Sequence, residues 1–307
     1  MLVWAVIAAA FTVVAVLRLV ARLRVRSPLT PPRGEGVLLR PVDAPTDAEL
    51  ANLSLRVDGL VQHVASGAEP HALNRKLGHL KRALLELRPE RVLVADADVA
   101  VDRELADALL GALDHADVAW AAPRPVPFGL TRGLLVQSMH SFEVLDAMTL
   151  GAPTMCGKAF ALGPRGIEAL LRLPDCIGED LELAQVPGLR IVRAGRALIP
   201  QPEGDVVARF TRWMQVLKAH RPALFPTIPL LFACTPLLLV AAPRAGLALL
   251  AVRLVAAAVL MRRPGLYVEW LGAEALLLVC WVRALLSGRR VRWRGRTLLV
   301  GAHGRLQ

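Results

Sequence analysis

Arg91-Val92-Leu93-Val94-Ala95-Asp96-Ala97-Asp98-Val99 is the stretch on which the fold turns. Four apolar residues rich in valine predict a short strand buried on both faces, the kind found in the middle of a sheet flanked by helices. Two carboxylates follow at once. In open α/β sheets ligands gather at the carboxyl ends of the strands, so Asp96 and Asp98 fall where chemistry is done. Side chains at i and i+2 of an extended segment share one face only while the strand persists, so a turn must aim both carboxylates at one cation. Read alone, the pair is either a cation site or two solvated loop residues.

Outward from that strand, apolar runs alternate with helical patterns. Strands are expected at 36–42, 60–65, 91–95, 117–122 and 158–163. Helices are expected at 46–58, 76–87, 102–113, 129–149, 164–172 and 179–185. Alternation of this kind argues an α/β sheet. Residues 27–35, SPLTPPRGE, read as a proline-rich linker. Cys156, Cys176, Cys234 and Cys280 show no CxxC spacing, so neither a disulfide framework nor a zinc site is indicated. His63, His79, His115 and His140 lack ligand spacing and read as structural.

The 307 residues are 55% hydrophobic and 21% charged, which excludes a disordered chain and is too apolar for an ordinary soluble enzyme. Residues 2–17, LVWAVIAAAFTVVAVL, are uncharged and are followed by Arg18, Arg22, Arg24 and Arg26. A secretory signal carries its charge before the apolar run, so the reverse order predicts an uncleaved anchor with its arginines in the cytosol. A second apolar block divides into 224–242, 245–261 and 271–287. Three full spans would put the basic tail outside, so two spans and one interfacial or re-entrant helix are expected. The resulting organisation is an anchor at 1–26, an α/β domain at 27–221, membrane helices at 222–288 and a basic cytosolic tail at 289–307. The formal charge of +11 could suggest nucleic acid. Many of the basic residues flank apolar segments instead, and a nucleic-acid partner is discounted. The cluster Arg289–Arg296 reads as a membrane-surface anchor.

Further along stand Gly178-Glu179-Asp180-Leu181 and Arg209-Phe210-Thr211-Arg212-Trp213. With LVADADV, GVLLRPV at 36–42, Asn74-Arg75-Lys76-Leu77, MCGKAFAL at 155–162 and the tail VRWRGR, their order resembles membrane-bound inverting glycosyltransferases of families 2 and 21. Ceramide glucosyltransferases and hopanoid-associated glycosyltransferases are the relatives this similarity suggests. The resemblance implies a GT-A (nucleotide-diphospho-sugar transferase) fold. It implies Asp96 and Asp98 as ligands of Mg²⁺ or Mn²⁺ and Asp180 as the general base. It assigns Lys76, Arg209 and Arg212 to donor phosphates, Trp213 to sugar or acceptor, and Glu179 to support of Asp180. Other readings stand beside these. Asp180 at a helix start suits the helix dipole without catalysis, and Arg209 with Arg212 suits anionic lipid heads.

The implied function is transfer of a hexose or N-acetylhexosamine from a UDP-sugar to a lipid hydroxyl, in an integral protein of a bacterial-type inner membrane whose catalytic domain faces the cytosol. Polyprenyl-phosphate glycosylation and a non-catalytic scaffold are the alternatives. The chain departs from the family between Val42 and Asn74. Relatives carry a base-reading aspartate after the second strand, then a helix and a third strand, and the gap here is too short for all of them. Glu69 is the expected substitute for the aspartate, with Ser66 and Asp58 as alternatives.

Overall fold

The computed structural model describes residues 36–43, 45–66, 72–125, 155–199, 205–261, 267–293 and 296–307, with scattered helical positions between 3 and 17. The expected helix 129–149 and Glu69 lie outside the described residues. Contacts divide the chain into two compact units. One holds 27–126, 153–202 and 300–307, and the other holds 1–26, 127–152 and 203–299.

The first unit is built on a six-stranded mixed sheet. Its strands are β1 (Gly36–Pro41), β2 (Leu60–Ala65), β3 (Val92–Ala95), β4 (Val118–Pro125), β5 (Ala159–Leu162) and β6 (Ile191–Ile199). They run in the order β2-β1-β3-β5-β4-β6. β1 pairs parallel with β2 and with β3, and β4 pairs parallel with β6. β5 runs antiparallel between β3 and β4. All four residues of β3 and all four of β5 are buried, as apolar runs at a sheet centre should be.

Helices α1 (Asp47–Ser54), α2 (Arg75–Leu87), α3 (Arg103–Ala112), α4 (Pro164–Arg172) and α5 (Glu179–Leu183) belong to the same unit. Local chemistry sets their starts. Thr46 and Glu49 close a reciprocal capping box on α1. The Asn74 side chain accepts from Leu77 N–H to cap α2, which buries Leu77, Leu80 and Leu84 on one face and ends at left-handed Arg88. Leu105, Leu109 and Leu110 of α3 pack with Leu38, Leu93 and Val99 in the main core cluster.

Two expectations need correction here. The sequence pattern omitted a strand at 191–199, where Arg193, Gly195 and Arg196 interrupt the apolar run. Parallel pairing with the buried β4 supplies what propensity lacks. The helix expected to reach residue 58 stops at Ser54, and Asp58-Gly59 form the turn into β2.

The second unit contains α6 (Val206–His220), α7 (Ile228–Ala241), α8 (Pro243–Met261), α9 (Tyr267–Leu286) and a hairpin of β7 (Arg290–Trp293) and β8 (Arg296–Leu299). Part of the stretch expected as a basic tail is thus an antiparallel hairpin. Lys218 donates to the carbonyls of Ala284, Leu285 and Gly288, a cation on the carboxyl end of α9. Trp281 Nε1 donates to Phe225 O at 2.9 Å and the two rings stack. α7, α8 and α9 fall where three apolar segments were expected. Among the described residues, however, no helix is long and apolar enough to cross a membrane. α7 has 14 residues, about 21 Å of helix against a hydrocarbon layer of about 30 Å. α9 carries Glu269, Glu274 and Arg283. The N-terminal anchor lies largely outside the described residues.

Candidate active site

The site grows from the carboxyl end of β3. After Ala95 the chain leaves the sheet in a turn closed by Val99 N–H on Asp96 O, at 3.1 Å. That turn is the reorientation the DxD spacing required. Both carboxylates now meet one ammonium: Lys158 Nζ lies 3.1 Å from Asp96 Oδ2, and 2.9 and 2.7 Å from Asp98 Oδ1 and Oδ2. Lys158 reaches them because β5 runs antiparallel beside β3. The register pairs Ala95 with Ala159, and one step on Asp96 N–H donates to Lys158 O at 2.9 Å.

A second ammonium enters from the first turn of α2. Lys76 Nζ lies 2.9 Å from Asp96 Oδ1, 2.8 Å from Glu179 Oε1 and 2.7 Å from Gly157 O. Glu179 is buried, and its other oxygen accepts from Asn74 Nδ2 at 3.0 Å. Asn74 therefore caps α2 with its oxygen and holds Glu179 with its nitrogen. Asp175 steadies the same corner by accepting from the N–H groups of Leu73 and Asn74.

Asp180 stands beside this pair. Its Oδ2 accepts from Gly157 N–H at 2.7 Å and its Oδ1 from Leu181 N–H at 2.9 Å. A Cβ at Gly157 would sit 3.1–3.2 Å from three atoms of the Asp180 side chain, which would have to shift by a few tenths of an ångström to admit it.

The electrostatics follow from this packing. Burial pushes the Asp96 carboxyl up, but Lys76 and Lys158 more than offset it and hold it at about 2. Burial works against the Lys76 ammonium too, and Asp96, Glu179 and Asp180 outweigh it and raise its pKa. Asp180 moves the opposite way from Asp96. Burial and then the neighbouring Glu179 raise it to about 6, against the pull of Lys76 and the two N–H donors. Carboxyls pushed apart in this manner have separate jobs available to them: a permanent anion, and a proton acceptor near neutral pH.

One buried side chain supports the turn from below. Arg40, 1% exposed, donates from both Nη atoms to Val99 O at 3.0 Å and from Nη2 to Asn52 O at 3.3 Å. Burial lowers its pKa to about 10 despite Asp96 and Asp98. Asn52 Nδ2 donates in turn to Ala97 O at 3.2 Å. Arg40→Met takes both guanidinium donors from Val99 O and leaves Asn52 O with the Leu55 N–H alone, and we expect about 2 kcal/mol lower stability by denaturant titration, with weaker metal binding at the turn it props.

The site residues predicted from sequence thus divide. Lys76, Asp96, Asp98, Glu179 and Asp180 come together in the sheet unit. Arg209, Arg212 and Trp213 lie on α6 of the helical unit, where Trp213 meets Phe210 edge-on at 5.2 Å. Sequence reasoning missed Lys158 and Arg40. Lys158 had a signal: it is one of only four lysines among 37 basic residues.

A cation fits the two aspartates by their geometry, since they already converge on one positive centre, and by their hard oxygen donors. Among the described residues no cluster of three or more His, Cys, Asp or Glu side chains is arranged for a metal. Ligands beyond this pair would have to come from substrate and water, as is usual for Mg²⁺.

No family model matches the chain, and no curated protein does. Solved structures do. A mannosyltransferase from Pyrobaculum calidifontis, determined with GDP-mannose and Mn²⁺, superposes with a TM-score of 0.50 at 18% identity, over 92% of this chain and 99% of that one. Residues 1–349 of TarS from S. aureus, determined with UDP-GlcNAc, match with a TM-score of 0.34 at 13% identity, over 88% of this chain and 98% of that one. The first likeness shows a fold shared with that mannosyltransferase.

Proposed function

We propose that the protein is a metal-dependent inverting glycosyltransferase that moves a hexose or N-acetylhexosamine from a UDP-sugar to a lipid hydroxyl. The observation that carries this reading is the split pair of acids, Asp96 held ionised among lysines and Asp180 raised to about 6 in the same unit. A divalent cation on Asp96 and Asp98 would neutralise the charge that grows on the leaving diphosphate. Lys76 supplies further positive charge beside it. Asp180 accepts the acceptor hydroxyl's proton as that oxygen attacks the anomeric carbon from the side opposite the diphosphate, which inverts the configuration. Glu179 keeps Lys76 and Asn74 in place. Arg209, Arg212 and Trp213 keep the roles the family resemblance assigns them, on donor phosphates and on sugar or acceptor. The mannosyltransferase of the same fold, with its GDP-mannose and Mn²⁺, supports a nucleotide-sugar donor and the cation.

A lipid acceptor and a membrane location rest on composition: the apolar N-terminus and the apolar segments of 222–288. An acceptor in the plane of a tethered enzyme meets it at raised effective concentration. One observation favours a second reading. Only nine residues separate β2 from α2, too few for the helix and strand that the family resemblance implies after the second strand. A homologue that has lost donor binding and serves as a scaffold would share that feature.

Incubation of the protein with Mn²⁺, a panel of radiolabelled UDP- and GDP-sugars and a total lipid extract decides between them. Label in a lipid product with an inverted anomeric centre is the expected result. No release of nucleotide from any donor, with no thermal shift, would overturn it in favour of the scaffold. The pH profile is a further check. The transfer rate should rise with pH through a limb near Asp180's value of about 6, because only the ionised carboxylate takes the proton. A rate unchanged from about pH 5 to 8 would remove Asp180 from that role.

A further inference from the structure

Lys158 places its ammonium on the very oxygens that a cation would use. Three carboxylate oxygens surround Nζ at 2.7–3.1 Å, one from Asp96 and two from Asp98. A divalent ion ligated by the same carboxylates sits about 2.1 Å from each oxygen, which leaves it within van der Waals distance of that nitrogen. Two like charges so close strongly disfavour one another. The ammonium and the metal therefore exclude each other.

We infer that Lys158 is a resident counter-ion of the Asp96–Asp98 pair. It holds the turn assembled while no metal is bound, and it is displaced from the carboxylates when the metal enters. Its stem is fixed at the first residue before β5, so the released ammonium stays beside the metal and faces the diphosphate that the metal carries. Lys158 then acts as a positioning charge for the donor. The site exchanges one cation for another without the two aspartates ever standing unpaired, which spares a part-buried pair of like charges their mutual repulsion. Lys76 touches only Asp96 of the two, and Glu179 and Gly157 O keep it in place.

This inference rests on the reading of Asp96 and Asp98 as metal ligands, and one titration separates the two. Free Mn²⁺ is followed by electron paramagnetic resonance as it is added to the full chain without nucleotide. Removing the competitor in Lys158→Met should tighten Mn²⁺ binding by about tenfold, whereas Lys158→Arg, which keeps the charge, should stay within about twofold of wild type. With Mn²⁺ saturating, Lys158→Met should bind UDP about tenfold more weakly by calorimetry, an effect opposite in sign to its effect on the metal. A lysine of purely structural importance would weaken both. Mn²⁺ affinity unchanged or lowered in Lys158→Met, with a site still lost in Asp96→Ala, overturns the counter-ion role alone. An Mn²⁺ isotherm that neither substitution alters overturns the metal reading as well. Mn²⁺ should also raise the thermal midpoint of Lys158→Met more than that of wild type. That comparison keeps the test informative if the variant is less stable before metal is added.

Discussion

Asp180→Asn is expected to lower the transfer rate by about 10²–10⁴-fold, the contribution of a positioned general base, while UDP binding stays within about twofold of wild type. The substitution keeps size and shape but removes the proton acceptor. It also costs one hydrogen bond. Asp180 offers two oxygens to two N–H donors, Gly157 and Leu181, and an amide offers only one, so about 1 kcal/mol of local stability goes with it. Donor binding is the discriminating measurement. If UDP affinity collapses together with the rate, Asp180 is holding the site together and not carrying a proton. A full rate in Asp180→Asn would remove it from the chemistry.

Asp96→Ala should have the larger reach and lose both activities. With metal present, donor affinity by calorimetry should fall by at least about tenfold, and transfer should be undetectable. Asp96 is the link between the two ammonium groups, accepting from Lys76 on one oxygen and Lys158 on the other. Without it, Lys158 retains Asp98 and Lys76 retains Glu179, so the fold has substitutes for the lost pairs while the cation does not. Equal donor affinity in wild type and Asp96→Ala would refute the metal-site assignment. The pair of variants dissects the site: one should uncouple binding from chemistry, and the other should abolish binding first.

Much of this site could be read before any coordinates. The apolar run Val92–Ala95 ending in two carboxylates announced a central strand with a loop at its functional end. Glu179-Asp180 opened a short helix as expected. What escaped was non-local. β6 carries two arginines and a glycine and reads poorly as a strand, yet β4 pairs with seven of its nine residues. Arg40 lies within the strand expected at 36–42, and its burial under the turn depends on Val99, 59 positions further along the chain.

Periodicity, caps and turn chemistry act over a few residues, so the sequence by itself determined the alternation of strands and helices from β1 to α3, the carboxylates at the end of β3 and the acid pair at the start of α5. Only the tertiary structure decided which charges face one another. The antiparallel insertion of β5 between β3 and β4 brings Lys158 opposite Asp96 across 62 positions of chain, and the cap at Asn74 swings Lys76 to the same carboxylate from the other side. Strand register is set by how whole elements pack. Packing is settled by burial summed over the sheet, which no local pattern contains.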